Sequence, residues 1–307
     1  MAFAGAALVG AESILALTPV AIKKTPLSPI SAIWSRILSS AVLGYALTGD
    51  RTLPRAEWSG AAALGYTNLL HIASSYEAFR ALPAGQAMSL LYTYPLWNLV
   101  FGALFAGERV ARHEFVAMAV AAIGSALLNL DPGEAAPAAI GRRTSTSWGL
   151  LMGLIMALTE SGMHTLLRGL GWRDPAKSVW VVSSSASLWL AGLLGAQSLV
   201  GEVAVPAISA AATWGDAAWL TLFHSVTMFS GYWLRFYAVP RLSVVTYSIL
   251  SYAGLLASYL FGMVFLGERP GWWSVVGALL IFGGGLAIQL MGGTTAAKAE
   301  DEAVAAA

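Results

Sequence analysis

Two glutamates lie in the middle of stretches that are otherwise apolar. Glu12 lies within GAALVGAESILALTP, and Glu160 lies within GLLMGLIMALTESGMHTLLRG. Apolar surroundings disfavour the ionised form of a carboxyl group, so such a group can bind and release protons near neutral pH. His164 follows one helical turn after Glu160, where the two side chains can share or relay a proton. We expect Glu12, Glu160 and His164 to couple protons to function, with Glu12 dominant. The alternative is that both carboxyl groups are simply hydrogen-bonded between packed helices.

Three arginines also lie within apolar stretches. Arg36 is near the middle of SPISAIWSRILSSAVLGYAL. A guanidinium group there needs a carboxylate, supplied either by a protein glutamate or by an anionic group of a substrate. We therefore expect Arg36 to bind or gate a substrate. Arg168 and Arg235 lie nearer the ends of their stretches, and we expect their side chains to extend to the polar surface.

Further polar and aromatic side chains recur at helical spacing. One stretch carries a polar face formed by Thr67, Asn68, His71, Ser74 and Ser75. A polar face among apolar residues is expected to line a cavity. Tyrosines and tryptophans on two other stretches could form walls with polar tips for a small amphipathic solute, or belts at a membrane edge. A lone histidine, His224, is as well explained by packing as by binding. The residues expected to contact a substrate are Arg36, Asn68, His71, Tyr94, Trp97, His224 and Tyr252.

The composition is that of a membrane protein. The chain is 57% hydrophobic and only 11% charged, with a mean hydropathy of +0.69. These values lie far from those of a water-soluble domain of this length. The net charge is +1, and the lysines and arginines are scattered, which excludes a basic stripe that could follow a nucleic acid backbone. The lipid bilayer is therefore the expected environment.

Ten apolar stretches are each long enough to cross about 30 Å of hydrocarbon as a helix. They cover residues 2–22, 28–48, 58–80, 84–106, 112–130, 148–170, 177–200, 214–238, 243–266 and 271–291. The first stretch lacks a basic segment before it and a cleavage site after it, so we expect a retained helix rather than a signal peptide. A loop rich in Pro, Gly and Ala, residues 131–147, separates two sets of five, and residues 293–307 form a polar tail that we expect to be mobile.

A repeated pentapeptide indicates an internal duplication. FAGER at 105–109 and FLGER at 265–269 each end an apolar stretch, follow an A-x-P turn at a similar distance, and precede a stretch containing glycines. The repeats are residues 1–130 and 148–292. Because five is an odd number of spans, the second repeat must be inverted in the membrane. The expected fold is an all-α membrane protein with ten transmembrane helices in two inverted five-helix repeats. Each Gly should end its helix, and the following Glu and Arg should face headgroups.

These features resemble the EamA-type ten-helix members of the drug/metabolite transporter superfamily. The resemblance covers nearly the whole chain and implies a carrier; the superfamily moves amino acids, nucleotide sugars, sugar phosphates, cofactors and drugs. Glu12 after Ala11 is also similar to the membrane-embedded glutamate of small multidrug resistance proteins, where a proton and a cationic substrate compete. That similarity implies proton coupling at Glu12, although the basic residues follow later here. Pro95 predicts a bend in the fourth span, whereas the ninth has Ala253 and Gly254 at the matching place.

Other classes of protein fit less well. HEFVA at 113–117 begins like a zinc-protease motif but has Ala117 where the second histidine must be, and no G-x-S-x-G elbow occurs. With no cysteine there is no thiolate metal site. We therefore expect no enzyme, no metal and no cofactor. A channel would be expected to show a filter sequence or rings of like residues.

We therefore expect a secondary transporter that exports a small polar or zwitterionic metabolite, amino-acid-like or drug-like, coupled to protons by alternating access. Exchange of anionic metabolites such as phosphorylated sugars is the main alternative. It would require two or more convergent cations at depth, and Arg36 is the one good candidate. A channel or a lipid flippase is a further alternative. The distribution of Lys and Arg between loops favours cytoplasmic termini in an inner cell membrane.

Overall fold

Helices are the only long elements of secondary structure over the residues that the structure describes. This computed structural model describes residues 2–105, 112–127, 145–199, 212–242 and 244–284. The helices of the first part are α1 (Ala2–Leu15), α2 (Thr18–Lys24), α3 (Pro29–Leu47), α4 (Trp58–Ala81), α5 (Ala84–Leu91), α6 (Tyr94–Phe105) and α7 (Arg112–Leu127). The later helices are α8 (Thr146–Leu170), α9 (Pro175–Leu199), α10 (Trp214–Phe223), α11 (Phe229–Ala238) and α12 (Val244–Leu266), followed by α13 (Trp272–Gly284).

Four helical segments in the described part are long and apolar enough to cross a bilayer. They are Phe3–Lys24, Pro29–Leu47, Thr146–Leu170 and Pro175–Ser198. Large apolar side chains on several helices remain exposed, for example Leu188 at 75% and Val42 at 66%. Exposed apolar side chains on helices of this length are typical of surfaces that face lipid.

Three irregularities interrupt the helices and direct side chains into the interior. The α1–α2 segment breaks at Ala16 and Leu17, just before Pro19. The α5–α6 segment breaks at Tyr92 and Thr93, just before Pro95, because a proline inside a helix removes a hydrogen bond and clashes with the preceding turn. The bend predicted at Pro95 is confirmed, whereas α12 runs unbroken past Ala253 and Gly254. A π-helical turn, His224–Met228, joins α10 to α11.

The second copy of the repeated pentapeptide is only partly as predicted. Gly267 has φ of 67° and ends α12, as expected for a helix-terminating glycine. Glu268, however, is 6% exposed rather than facing headgroups. It pairs with Lys23 and accepts a hydrogen bond of 2.7 Å from the backbone N–H of Ala84. The reason is that the first turn of α5 presents unpaired N–H groups, which attract a carboxylate. Residues 106–111 of the first copy lie outside the described part of the chain.

Two polar clusters lie at opposite ends of α3. The Lys23 cluster (Lys23, Ala84, Glu268) is beside its start. The Lys177 cluster, beside its end, consists of Thr48, Asp50, Asp174 and Lys177. α3 has 19 residues, so the clusters lie about 28 Å apart along its axis.

The Lys177 cluster joins the loop after α3 to the start of α9. Lys177 Nζ donates to Asp50 Oδ2 at 2.6 Å, and Thr48 Oγ1 donates to Asp174 Oδ2 at 2.6 Å. The hydrogen bond from the Lys177 ammonium group holds the pKa of the Asp50 carboxyl well below its usual value. The charged form of Asp50 is therefore the one that binds Lys177.

Helices from the two parts of the chain pack directly on one another. α4 packs most extensively on α8 and α9, α3 packs on α9, and α1 packs on α11 and α12. The buried core accordingly mixes residues such as Leu8, Leu64, Met156 and Phe236. This interleaving brings polar residues that are far apart in sequence to one place at the centre.

The contact between α3 and α9 depends on Gly44. We expect Gly44→Ala to lower the melting midpoint of the detergent-solubilised protein, because the added Cβ would lie 2.6 Å from Trp180 N and 3.0 Å from Ala176 O. Both are backbone atoms and cannot rotate away. The matched control is Gly192→Ala on α9, where nothing lies within 4 Å and alanine favours the helix by about 1 kcal/mol. A midpoint for Gly44→Ala as high as that of the control would contradict this packing.

Candidate functional site

A fully buried ion triad lies where the two parts of the chain meet. Arg235 on α11 binds Glu12 on α1 with two hydrogen bonds, from Nε to Oε1 at 2.9 Å and from Nη2 to Oε2 at 2.7 Å. Its Nη1 also binds Oε1 of Glu160 on α8. Both glutamates are 0% exposed, and Arg235 is 2% exposed. We call Glu12, Arg235 and Glu160 the central triad.

The prediction that Arg235 reaches the polar surface was wrong. Its position near the end of a hydrophobic stretch suggested a shallow depth, but the chain that follows is also buried, with Ala238 at 0% and Val239 at 1%. The Arg235 side chain is therefore directed into the protein, although the chain becomes exposed at Pro240 and Arg241. A signal for its role was present in the sequence, because two glutamates within the membrane require a nearby cation.

Tyr92 and two histidines surround the triad. Tyr92, at the break between α5 and α6, donates from Oη to Glu12 Oε2 at 2.7 Å. His71 Nδ1 lies 3.1 Å from the carbonyl oxygen of Met156 and 3.5 Å from Glu160 Oε2. Because a carbonyl oxygen only accepts, Nδ1 of His71 carries the hydrogen.

His164 completes this layer. Its Nε2 lies 3.4 Å from Glu160 Oε1 and 3.2 Å from Tyr247 Oη. The structure thus brings together Glu12, Glu160 and His164, the three residues that the sequence suggested for proton coupling. The Glu160 carboxylate and the two imidazoles, each within 3.5 Å of it, form a set of neighbouring groups able to hold a proton, and Arg235 joins this set to Glu12.

Arg36 is a second buried arginine, and its environment differs from that of Arg235. It is 4% exposed. Its Nη2 donates to Tyr232 Oη at 2.8 Å, and its Cζ lies 5.3 Å from the centre of the Tyr232 ring. The ion pairs found within the described part of the chain do not include Arg36. A protein carboxylate therefore does not neutralise it there.

Two cavities meet at Arg36 and Tyr232. The first reaches the central triad through Arg235. Its remaining polar lining is Thr18, His71 and Ser75, and its apolar lining is Leu15, Phe79, Met88, Leu91 and Met156. The second cavity includes Asn68, Ser40 and Ser183. Of the residues predicted to contact a substrate, Arg36, Asn68 and His71 line these cavities.

The other four residues predicted to contact a substrate line neither of these two cavities. Tyr94 Oη donates to Ser251 Oγ at 2.7 Å, and its ring lies 5.2 Å from that of His164. Tyr252 is buried with its ring 5.9 Å from that of Tyr92. Trp97 is half-buried against the hydrophobic core.

His224 lies in the π-helical turn. Its Nδ1 is 3.1 Å from Ser35 Oγ, and its Nε2 is 3.3 Å from Tyr76 Oη. Both ring nitrogens therefore have hydrogen-bond partners, which fits the packing interpretation of this residue. Over the residues that the structure describes, no cluster of His, Cys, Asp and Glu is arranged to hold a metal ion.

Arg235→Gln is expected to lower the free energy of unfolding by about 3–5 kcal/mol, because it leaves two buried carboxylates without a cation. Melting midpoints in detergent would measure the change. A second substitution, Glu160→Gln, should recover part of the loss by removing one of those charges. The control is Arg241→Gln, since Arg241 is exposed and donates to the carbonyl of Tyr237. Equal midpoints for Arg235→Gln and Arg241→Gln would contradict the triad.

Comparison with known proteins agrees with a membrane transporter. Residues 3–130 match the EamA-like transporter family. The chain is 26% identical, over 79% of its length and 75% of the relative's, to a protein of Streptantibioticus cattleyicolor named as a probable terminal-alkyne amino-acid exporter. A crystal structure of a protein 17% identical shares the fold, with a TM-score of 0.61 over 94% of this chain and 96% of the other. Residues 3–130 are thus similar to EamA-like transporters, and four described helical segments are long and apolar enough to cross a membrane, which together support an integral membrane transporter of small molecules.

Proposed function

We propose that this transporter exports a small zwitterionic metabolite of amino-acid type in exchange for protons, by alternating access between two inverted five-helix halves. The observation that carries the proposal is the central triad, which joins α1 and α8, the first helices of the two sequence repeats, through Arg235. The exporter relative supports an amino-acid-like substrate. An inner cell membrane with both termini cytoplasmic belongs to the same proposal.

The charge of the triad supports proton coupling. With both glutamates ionised, two negative charges face one guanidinium group, which leaves a net negative charge in apolar surroundings. Such a charge is costly there, so the triad gains stability by taking up one proton or one substrate ammonium group. Because the proton and the ammonium group would neutralise the same negative charge, they compete for the triad. Competition at one site is sufficient for exchange of a metabolite against protons.

The surrounding groups offer a route for that proton. His71 and His164 lie within 3.5 Å of Glu160, and His71 also lines the first cavity. A proton arriving in the cavity can therefore reach Glu160 through His71. Glu12 instead accepts a hydrogen bond from Tyr92 and two from Arg235, which hold its ionised form. Arg235, His71 and His164 all face Glu160 and favour its ionised form more strongly, so we propose that Glu12 dominates the coupling and that Glu160 tunes it.

The two polar clusters support alternating access. The Lys23 cluster ties α2 to α5 and to the connection after α12. The Lys177 cluster ties the end of α3 to the start of α9. Each cluster closes one end of the bundle, so opening either end requires separating the charges there. A carrier that opens its ends alternately needs contacts of this breakable kind.

The charged side chains that line the described cavities favour a carrier of zwitterions over an exchanger of phosphorylated anions. Two arginines line the first cavity, but Arg235 is already neutralised by Glu12 and Glu160. Arg36 is therefore the cation available to a substrate within the described cavities. One guanidinium group suits a singly charged carboxylate. A channel or a lipid flippase is the alternative of a different class.

Glu12→Gln and Glu160→Gln are expected to flatten the dependence of flux on a pH gradient while sparing exchange without a gradient. Glutamine keeps the shape of the side chain and cannot titrate. Protein reconstituted in liposomes would be screened with a panel of amino acids, and proton flux would be recorded beside substrate flux for each variant. Glu12→Gln should have the larger effect.

The control for this experiment is Glu57→Gln, because Glu57 binds the indole of Trp172 in a connecting segment, away from the triad. Wild-type coupling in both triad variants would contradict proton coupling at these residues. Flux that rises without saturation as substrate increases would instead favour a channel.

The ten-span inverted arrangement predicts the sidedness of single cysteines in this cysteine-free chain. Arg51→Cys and Arg241→Cys should react with an impermeant thiol reagent from one side of the membrane, and Lys24→Cys and Arg269→Cys from the other. All four side chains are exposed. Labelling of Lys24→Cys and Arg269→Cys from different sides would refute the arrangement. Cysteines at Glu108 and Arg269, one in each of the repeated pentapeptides, should likewise react from opposite sides.

A further inference from the structure

The pair formed by Arg36 and Tyr232 lies between the two cavities and lines both of them. The first cavity extends from this pair toward the Lys23 cluster, since Thr18 lies on α2, the helix that carries Lys23, and Phe79 lies near the end of α4, shortly before Ala84. The second extends toward the Lys177 cluster, with Asn68 on α4 and Val179 on α9. A solute crossing between the cavities must therefore pass Arg36 and Tyr232.

We infer that Arg36 and Tyr232 form a subsite for the carboxylate of a solute that also carries an apolar chain, and that the Tyr232 hydroxyl occupies the place this carboxylate takes. The inference rests on the proposed transport of amino-acid-like metabolites and specifies which of them fit. Its basis is the combination of a buried guanidinium group, a neutral partner and an adjacent apolar wall.

The partner of Arg36 is chemically weaker than the one it can hold. A guanidinium group binds a carboxylate with two parallel charge-assisted hydrogen bonds, which are about twice as strong as bonds to neutral groups. In this structure Arg36 donates to the neutral hydroxyl of Tyr232. An entering carboxylate would supply both a stronger acceptor and the missing negative charge. Exchange of hydroxyl for carboxylate is therefore favourable, and it requires the Tyr232 side chain to move.

The walls of the first cavity define the rest of the solute. Leu15, Phe79, Met88, Leu91 and Met156 form an apolar surface on the Lys23 side of Arg36. Burying an aliphatic chain there is favourable because it removes apolar surface from water. The central triad adjoins the same cavity through Arg235, and its net negative charge suits an ammonium group. The three features together fit an α-amino acid with an aliphatic side chain.

The test uses three probes of nearly equal size: L-leucine, L-leucinamide, which lacks the carboxylate, and 4-methylpentanoate, which lacks the ammonium group. Binding to the purified protein would be measured by the shift of the melting midpoint, and competition would be measured in liposomes. We expect leucine to bind about tenfold or more tightly than leucinamide, which is the loss expected for one charge-assisted hydrogen bond. 4-Methylpentanoate should also bind better than leucinamide.

Two variants separate a binding role from a structural one. Arg36→Gln should remove the preference for leucine over leucinamide. Tyr232→Phe should strengthen leucine binding several-fold and leave leucinamide unchanged, because it removes the competing hydroxyl and keeps the ring. A purely structural contact would weaken both probes alike in Tyr232→Phe. Arg241→Gln is the control for loss of an arginine and should preserve the preference.

Several results would overturn the inference: equal binding of leucine and leucinamide to the wild type, no binding of leucine or 4-methylpentanoate, or a preference that survives in Arg36→Gln. Glu12→Gln and Glu160→Gln would be measured in the same assay. Wild-type proton coupling in both variants, with the carboxylate preference intact, would defeat the proposed exchange alone. Coupling lost in both variants, with no preference for leucine over leucinamide in the wild type, would defeat the subsite alone.

Discussion

Charge compensation in a medium without water governs the centre of this protein. An ionised group in apolar surroundings is costly unless an opposite charge and hydrogen bonds replace its hydration. Arg235 meets this requirement for Glu12 and Glu160 simultaneously, and the contact fixes three helices that are distant in sequence. Because each member depends on the other two, a change in the protonation of one carboxyl group alters the binding of all three. A local chemical event is thereby linked to the packing of α1, α8 and α11.

The irregular parts of the helices make this arrangement geometrically accessible. A continuous helix carries its hydroxyl groups on a regular spiral, whereas the break before Pro95 lets Tyr92 reach Glu12. The π-helical turn beginning at His224 precedes Tyr232 and Arg235 on the following helix, and an inserted residue of this kind rotates the helix that follows. Interruptions in membrane helices are tolerated where the protein encloses them. Here they occur beside the buried charges.

The two buried arginines divide the interior into regions of opposite character. Arg235 is outnumbered by carboxylates, while among the described residues the Tyr232 hydroxyl is the hydrogen-bond partner of the Arg36 guanidinium group. The first cavity is lined by both arginines, and Glu12 and Glu160 lie outside its lining, so in the proposed exchange an ammonium group would reach their negative charge past Arg235. A zwitterion complements both regions, whereas an anion or a cation complements only one. The electrostatic selectivity that we propose follows from this separation rather than from the net charge of the site.

The sequence by itself determined the class of the protein, the positions of its apolar helices, the break near Pro95 and the presence of two intramembrane carboxyl groups. These properties are local, because hydropathy and the restriction that proline imposes depend on neighbouring residues. The tertiary structure alone decided which cation joins Glu12 to Glu160, that Glu268 is buried against the start of α5, and that His224 is held by Ser35 and Tyr76. Depth and partners depend on how helices pack, and a position near the end of a hydrophobic stretch does not reveal whether water or protein lies beyond it.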